Sequence, residues 1–503
     1  MRMNRRAAGL TLALFGVAFA IRSIFAAQLI FPPLDDPAFY VQTARNVAAG
    51  RGLIIDVIWN YFVPFANVTH PSHEFWMPLP TLLMALSMRL CGDSLLAAQL
   101  PGIIGGALLP ALTFGLGRRM FGVDRWALLA ALLAVPSAIS VYQSASADSA
   151  AVYAILSAGA LGVSALVLTD AHRRYWLAGL TGLLCGLSYL TRSHGGLLAV
   201  AIGGLWLIEW RRERVTLLKS LAAAIIGGLI MVGPWWLRNL QAFGSLQPFP
   251  LTLAAAATDY GAWFNYTQLP SMTDVVANGA ALQVRWAALW HDLDVMLLVT
   301  FPFGLIGLPV VLMRREKLFR LVAIYALLIW LTVSGLFPIP ALTGSFYHST
   351  GTLVPFAALG TMMAIRGLVN SSRWRLAGVG LYAVMLALVI GQAAIAWPGV
   401  IVDSRANATR FGAVTQWLRS NVPPDQPIIT NEAHSLNYAS GYSTLTLPNQ
   451  QAVPIVRQLA DRYGARFVVV FGAIGQYPAA LEQVDRIVLR ANLDNVTVYE
   501  FQP

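Results

Sequence analysis

The sequence predicts an all-α polytopic membrane protein with a small α/β domain at its C-terminal end. Of its 503 residues, 57% are hydrophobic and 11% are charged, and the mean hydropathy is +0.63. Soluble domains carry about 25% charged residues, so the composition excludes that class. Eleven apolar stretches are each long enough to cross the hydrocarbon core as a helix. These predicted spans lie near residues 8–27, 97–117, 125–142, 150–169, 175–191, 195–210, 217–237, 294–313, 320–338, 349–368 and 375–396.

The positions of Lys and Arg predict the orientation, because cytoplasmic loops retain these residues. The N-terminus carries Arg2, Arg5 and Arg6, and the short loops on its side are basic, as at 211–219 and 314–320. Eleven spans then place the N-terminus in the cytoplasm and the tail outside the cell membrane. Since the net charge of +11 largely reflects this topology, we expect membrane lipids as partners and no nucleic acid.

Three long segments fall on the predicted outer side, at 28–96, 239–293 and 398–503. We therefore expect function to face outward. The first segment predicts two surface helices, and the second could shape or gate a site. The third alternates helical and strand patterns, which is typical of a small α/β domain. The predicted domains are a transmembrane domain over 1–397 and an extracytoplasmic domain over 398–503.

An adjacent acidic pair, Asp35 and Asp36, stands in the run LDDPAFY of the first outer segment. Neighbouring carboxylates in a membrane protein indicate chemistry or cation binding. The two charges repel, so one pKa should be raised and the pair should titrate as a unit. Alternatively, these acids cap the helix that starts near Pro37, because a helix N-terminus favours negative charge. Capping by one carboxylate does not exclude catalysis by the other.

Further polar residues fall at the outer ends of predicted spans. Asp148 begins the fourth span and could orient a base, position an acceptor or help to hold a divalent ion. Its alternative role is an N-cap beside Ser146 and Ser149. Arg192 and Arg238 end the fifth and seventh spans, where a planar guanidinium could clamp a phosphate. Snorkelling toward lipid headgroups is the alternative for both arginines.

The run HPSHEFW contains the candidate metal ligands, His73 and Glu74, with His70 close by. The spacing does not match a zincin helix, and a structural or solvent-facing role is the favoured alternative. The cofactor therefore stays unassigned, with a divalent metal ion as the one candidate.

Taken together, the motifs resemble the GT-C glycosyltransferases, membrane enzymes that use polyprenyl-phosphate sugars and include protein O-mannosyltransferases and lipid A aminoarabinose transferases. The resemblance covers about residues 10 to 400. It rests on the order of LDDPAFYVQTARNVAAGRG, WMPLP, SASADSAAVYAILSAG, LTRSHG and GPWWLRNLQAFGS. One departure concerns the residues before Pro78, which are Trp76 and Met77, whereas the aminoarabinose enzymes often carry a lysine there. A phosphate-binding lysine is therefore missing at that place.

This resemblance implies the GT-C fold and sugar transfer from a polyprenyl-phosphate donor to an extracytoplasmic protein, lipid or glycan acceptor. It identifies Asp35 as the catalytic base, and in-line attack would invert the anomeric configuration. Asp36 and Asp148 complete the predicted catalytic set. Arg192, Arg238 and His348, which precedes the tenth span, are the predicted donor-phosphate ligands.

Two other function classes remain open. An oligosaccharyltransferase-like enzyme would use a diphosphate-linked donor, although the WWD run expected in its soluble domain is absent from 398–503. A transporter or flippase for lipid-linked substrates would place charge along a transmembrane path, whereas these acids cluster at the outer surface. The identities of the sugar and the acceptor and the metal requirement stay open.

Overall fold

The structure, a computed structural model, describes residues 5–267, 269–277, 279–449, 453–472 and 487–502, and its fold is mostly helical. Two short 3-10 helices occur at Tyr260–Phe264 and Gly351–Leu353. The α-helices among these residues are α1 Arg5–Ala26, α2 Asp35–Ala48, α3 Leu79–Cys91, α4 Leu95–Phe121, α5 Asp124–Ala134, α6 Ala138–Ala145, α7 Ala150–Val167, α8 Arg174–Thr191, α9 Gly195–Glu209, α10 Arg214–Phe243, α11 Leu251–Ala256, α12 Met272–Ala277, α13 Gly279–Thr300, α14 Gly304–Met313, α15 Lys317–Leu336, α16 Pro338–Leu342, α17 Ser345–Thr350, α18 Val354–Asn370, α19 Arg375–Asn421, α20 Ala433–Ser440 and α21 Val453–Tyr463.

Strands form two sheets. A two-stranded antiparallel ladder pairs β1 with β3, and a six-stranded sheet has the order β2-β5-β4-β6-β8-β7. In that larger sheet β2, β5, β4 and β6 are parallel, whereas β8 and β7 run antiparallel. The strands are β1 Ile54–Ile55, β2 Val57–Ile58, β3 His70–Pro71, β4 Ile428–Thr430, β5 Thr444–Thr446, β6 Phe467–Phe471, β7 Ile487–Leu493 and β8 Val496–Phe501.

Helices occupy all eleven stretches that the sequence predicts as spans. In the part of the chain that the structure describes, seven helices are long and apolar enough to cross a membrane, and two bent helix pairs raise that number to nine. Neither α8 nor α9 is among them, and α9 has only 15 residues. Multiple apolar helices make this a multi-pass membrane protein.

Two of the predicted spans are not continuous helices, which corrects the sequence interpretation. The span predicted at 125–142 bends by 63° between α5 and α6, and the one predicted at 294–313 bends by 110° between α13 and α14. Pro136 and Pro302 stand in these breaks. Proline has no N–H to donate and its ring collides with the preceding turn, so each helix ends before it.

Arg22 of α1 is fully buried beside the first of these breaks. Its guanidinium donates to the carbonyl oxygen of Val135 and to the hydroxyls of Ser140 and Ser144, each at 3.2 Å. A carbonyl left free by a broken helix must find another donor inside a membrane protein. Arg22 is that donor, and it ties α1 to α6, the helix that leads toward Asp148.

Helices α8 and α10 approach closely through small residues. A Cβ added at Gly182 would collide with the backbone of Ala224, and one added at Gly227 would collide with that of Gly179. Such close backbone contact is the usual packing of membrane helices with small interfacial residues. This contact fixes the helix that leads into Arg192 against the helix that carries Arg238.

Both predicted surface helices of the first outer segment are present, as α2 and α3. The same segment also supplies β2, which pairs in parallel with β5 of the tail through Val57 opposite Thr444. The sheet of the tail is therefore completed by a strand from the first segment. Helix α19 runs without interruption across residue 398, the predicted domain boundary. The run PAALEQVDRIVLR at 478–490, part of the alternating helical and strand pattern of the tail, lies mostly outside the described residues, and its last four residues belong to β7.

Candidate active site

The acidic pair lies at the start of α2, where the first outer segment meets the tail. The N-cap is Leu34, which makes no capping hydrogen bond with its side chain, so both acids belong to the first helical turn. Asp35 Oδ1 accepts hydrogen bonds from the hydroxyl of Ser435 at 2.7 Å and from its backbone N–H at 3.2 Å. Ser435 lies in the first turn of the short tail helix α20, 400 residues away in sequence.

The surroundings of the pair disfavour ionisation of both carboxyls. Burial raises the pKa of Asp35 to about 6, and the charge of Asp36 adds to that effect, while the two hydrogen bonds from Ser435 oppose it. Burial also raises the pKa of Asp36, and the charge of Asp148 raises it further. A carboxyl with a pKa near 6 is a suitable general base close to neutral pH. Burial is the largest cause of the raised pKa of both carboxyls, and the charge of Asp36 is a smaller cause for Asp35.

Asp148 lies in a second polar cluster that faces the pair. It follows Ala147, whose φ of 56° is unusual for a residue with a side chain. Asp148 Oδ2 lies 2.9 Å from Nδ1 of His348, and its Oδ1 accepts from the hydroxyl of Ser149 at 2.9 Å. Burial by itself would raise the pKa of Asp148, but His348 and Arg192 hold it well below its ordinary value. Asp148 is therefore ionised under conditions in which Asp35 titrates.

Arg192 connects this cluster to a cavity. The guanidinium donates to Ser149 at 2.8 Å and to Ser345 at 3.5 Å, while its Nε atom is buried and has no acceptor within the described residues. His194 lies close by, with Nδ1 2.9 Å from the hydroxyl of Ser349. Burial and the charge of Arg192 lower the pKa of His194 to about 3, so this ring is neutral.

The cavity beside Arg192 has a volume of about 300 Å³. Its wall includes Tyr40 and Trp76 from the first outer segment and Arg192 itself. An apolar cleft of about 360 Å³ between α8, α9 and α10 shares Tyr189 and Gly196 with that cavity. A mainly apolar cavity that has an arginine in its wall and continues into an apolar cleft between helices suits a ligand with a charged head and a hydrocarbon tail.

The other predicted residues lie in a separate group. Arg238 donates to the carbonyl oxygens of Leu53 at 3.3 Å and Ser72 at 2.9 Å, which are backbone atoms of the first outer segment. His73 has its Nδ1 2.8 Å from the hydroxyl of Ser72, and burial lowers its pKa well below the ordinary value. Phosphate binding by Arg238 stays a prediction, since none of these contacts reaches Asp148 or Arg192.

The second group also contains the other candidate metal ligand, Glu74. Burial raises the pKa of Glu74, and its Oε2 atom has no hydrogen-bond partner in the described part of the chain. Within the described residues, no group of three or more His, Cys, Asp or Glu side chains is arranged to hold a metal ion. His73 and Glu74 alone do not make a metal site, and metal binding there stays a prediction.

Sequence reasoning did not identify the individual residues of the tail and of the second outer segment that lie near the acidic pair. Burial and the charge of Asp35 raise the pKa of Glu432, which immediately precedes α20, to about 7. Tyr260, in the 3-10 helix of the second segment, experiences the charges of Asp35, Asp36 and Glu432. These residues come together only through the tertiary fold, and nothing in their local sequence marks them.

Part of the chain is similar in sequence to known membrane glycosyltransferases. Residues 69–237 match the family model described as dolichyl-phosphate-mannose-protein mannosyltransferase. An undecaprenyl phosphate-α-4-amino-4-deoxy-L-arabinose arabinosyl transferase of Pseudomonas aeruginosa strain UCBPP-PA14 is 25% identical over 204 residues, which are 40% of this chain and 35% of that protein. The matching part of the chain thus spans about a third of the length of that curated relative.

Solved structures share the fold over nearly the whole chain. ArnT from Cupriavidus metallidurans, bound to undecaprenyl phosphate, superposes with a TM-score of 0.59 at 14% identity and covers 98% of both chains. The oligosaccharyltransferase AglB from Archaeoglobus fulgidus gives a TM-score of 0.53 at 13% identity, covering 93% of this chain and 69% of that one. The mycobacterial arabinofuranosyltransferase AftD gives 0.54 at 15% identity, covering 97% of this chain and 41% of that one.

Proposed function

We propose that this chain, which has the fold of the GT-C glycosyltransferases, transfers a sugar from a polyprenyl-phosphate donor to an extracytoplasmic acceptor. The observation that carries the proposal is the position of Arg192 between the acidic groups and a cavity that opens into an apolar cleft. A lipid phosphate fits this arrangement, with its anionic head near the guanidinium and its hydrocarbon tail between helices.

The proposed topology follows the predicted orientation. Eleven crossings, of which several are short or bent, put the N-terminus in the cytoplasm and the acidic site at the outer face of the cell membrane. The transmembrane domain covers 1–397 and the extracytoplasmic domain 398–503. Support for an outward-facing tail comes from its sheet, because β2 of the first outer segment is one of the strands.

Asp35 is the proposed base. Its carboxylate takes the proton from the acceptor hydroxyl as that oxygen forms a bond to the anomeric carbon of the sugar. The bond between the anomeric carbon and the phosphate oxygen breaks, and polyprenyl phosphate leaves as an anion. Attack opposite the leaving group inverts the anomeric configuration. Asp36 would assist by holding the acceptor, since it lies next to the base and within the field of Arg192.

The proposed role of the Asp148 cluster is to hold positive charge near the departing phosphate. Asp148 is ionised and orients His348 and, through Ser149, Arg192. A fixed guanidinium stabilises the phosphate charge as it develops without reorganising in the transition state. Arg238 stays a proposed second phosphate ligand. The second outer segment, which brings Tyr260 toward the acids, is a proposed lid.

The deciding experiment measures sugar transfer by the purified chain in nanodiscs, with a panel of radiolabelled polyprenyl-phosphate hexoses and pentoses. We expect turnover of one donor, with a loss of at least about 100-fold in Asp35→Asn and Asp148→Asn, as is usual for removal of acid-base or electrostatic groups. Asp425→Asn is the matched control, because Asp425 is an exposed acid of the tail. This control should keep full activity.

Two results would redirect the assignment. Turnover of diphosphate-linked glycans alone would favour the alternative function of an oligosaccharyltransferase. AglB, an enzyme of that class, shares the fold of this chain. Movement of intact lipid-linked sugar between leaflets, without transfer and abolished in Asp35→Asn, would favour a flippase.

A further inference from the structure

A second large cavity lies at the opposite end of the helix bundle from the acidic site. It has a volume of about 660 Å³ and lies between α4, α7, α18 and the start of α15. Helix α7 begins two residues after Asp148 and reaches this cavity at its other end, through Ala165 and Leu166. Eighteen helical residues rise about 27 Å, so the two sites are separated by about one membrane thickness.

Four cations line this cavity, which we call the basic pocket: Arg119, Arg314, Lys317 and Arg366. Among the described residues, Glu316 is the one acid that lines it, at 4.0 Å from Arg314. The rest of the lining is mainly apolar. Its apolar side chains are Leu116, Met120, Phe121, Ala165, Leu166, Leu318 and Met363.

Part of this positive charge is used by the fold. Arg366 donates to the carbonyl oxygen of Phe121 at 3.3 Å, and Lys317 donates to that of Leu168 at 3.4 Å. Both carbonyls lie at helix C-termini, where a cation offsets the negative end of the helix dipole. Lys317 also lies 3.4 Å from Glu209. These two cations therefore have structural roles.

The other two cations are not used in this way. Arg119 is exposed and has no hydrogen-bond or ion-pair partner among the residues that the structure describes. Arg314 is half-exposed, and the 4.0 Å contact with Glu316 is at the limit of an ion pair. A surface contact of that length contributes little energy. The pocket thus has two available guanidiniums above an apolar floor.

We propose that the basic pocket binds an anionic phospholipid of the leaflet on that side, with its phosphodiester between Arg119 and Arg314. Its acyl chains would lie along the apolar floor between α4, α7 and α18. Charge complementarity selects this occupant, because basic pockets between membrane helices attract anionic headgroups. The predicted orientation places the pocket at the cytoplasmic leaflet, where anionic lipids meet the basic loops.

The test measures lipid retention by the full chain in detergent, by native mass spectrometry, during titration with phosphatidylglycerol or phosphatidylcholine of the same acyl chains. We expect phosphatidylglycerol to be retained in preference. Arg119→Gln should weaken its binding about fivefold and Arg119→Gln/Arg314→Gln about 25-fold, because the attraction of one arginine for an anionic headgroup corresponds to about fivefold in affinity and the two effects multiply.

Arg211→Gln/Arg212→Gln is the matched control. It removes two exposed cations from the α9–α10 loop, which lies on the same face outside the pocket, and should leave retention within about twofold. Equal retention of the two lipids, or equal loss in the control, would overturn the proposal. Displacement of the lipid by millimolar inorganic phosphate would instead indicate a free-anion site and would also overturn it.

Discussion

Ser435→Ala should shift the pH dependence of the proposed sugar transfer toward alkaline pH, because Ser435 stabilises the ionised form of Asp35. The hydroxyl donates to Asp35 Oδ1 at 2.7 Å, the shorter of the two bonds from Ser435. A hydrogen bond to a charged group contributes about 1.5 to 3 kcal/mol, and part of that is recovered by water. One pKa unit corresponds to about 1.4 kcal/mol, so we expect the pKa of Asp35 to rise by about one unit.

The magnitude is measurable near neutral pH. With a pKa of about 6, Asp35 is about 90% ionised at pH 7, and with a pKa near 7 it is about 50% ionised. The base is active when deprotonated, so raising its pKa moves the acid limb of the profile to higher pH. The assay is kcat/KM for sugar transfer from pH 5 to 9, which reports the ionisation of the free enzyme.

Ser435→Thr is the control, since threonine keeps the hydroxyl and should leave the acid limb within about 0.3 units of its original position. A purely structural role for Ser435 would lower the rate equally at all pH values. If the limb of Ser435→Ala does not move while Asp35→Asn is inactive, the titrating base is not Asp35. The reasoning from its hydrogen bonds would then be wrong.

Three further predictions concern Asp35, Arg22 and Arg192. Asp35→Asn should stabilise the protein by about 1 to 3 kcal/mol at pH 7 in thermal unfolding, because folding raises the pKa of Asp35 from 3.8 to about 6. The stability of the original protein is full below pH 3.8, where Asp35 is protonated in both states, and falls as pH rises through 6. The advantage of the variant should therefore vanish near pH 4. Arg22→Met should lower the free energy of unfolding by about 2 to 4 kcal/mol, since Ser140, Ser144 and Val135 lose their shared donor, whereas Arg6→Met, an exposed change on the same helix, should leave the melting temperature unchanged. Arg192→Lys should lower kcat/KM about 10- to 100-fold despite keeping the charge, because an ammonium cannot reproduce the planar contacts to Ser149 and Ser345; activity equal to the original would show that Arg192 provides only a diffuse positive field.

The sequence predicted those features that depend on neighbours along the chain. The lengths of the apolar stretches predicted the positions of the helices, and a proline after an acidic pair predicted the start of α2. The bends of 63° and 110° were missed, because length and hydropathy do not distinguish a straight span from a broken one. An internal proline was the available signal, yet proline is also tolerated in helices that do not break this way, as Pro110 in α4 demonstrates.

The site itself was predictable only where a residue type stands out against its surroundings. Asp148 was singled out as a carboxylate at the end of an apolar span, and Arg192 as an arginine on the outer side, where the bias of Lys and Arg toward the cytoplasm makes it unusual. Arg22 satisfied the same criterion but was overlooked as part of the first predicted span. Ser435 and Glu432 carried no local signal, since serine and glutamate are ordinary residues in a polar tail. Their contact with Asp35 depends on docking of α20 against α2, which cannot be predicted from the local pattern of a single sequence.

The different surroundings of Asp35 and Asp148 explain how one site could hold both an ionised anchor and a titrating base. Asp148 has a histidine and an arginine as partners, and these outweigh the effect of its burial. Asp35 is half-buried with a neutral serine as its partner, which reduces the penalty of ionisation without abolishing it. Environments that push the pKa values of nearby carboxyls apart assign them different chemical roles. Because the partner of Asp35 comes from the tail, the protonation of the proposed base depends on docking of α20 against α2, and so the tail contributes a side chain to the candidate site.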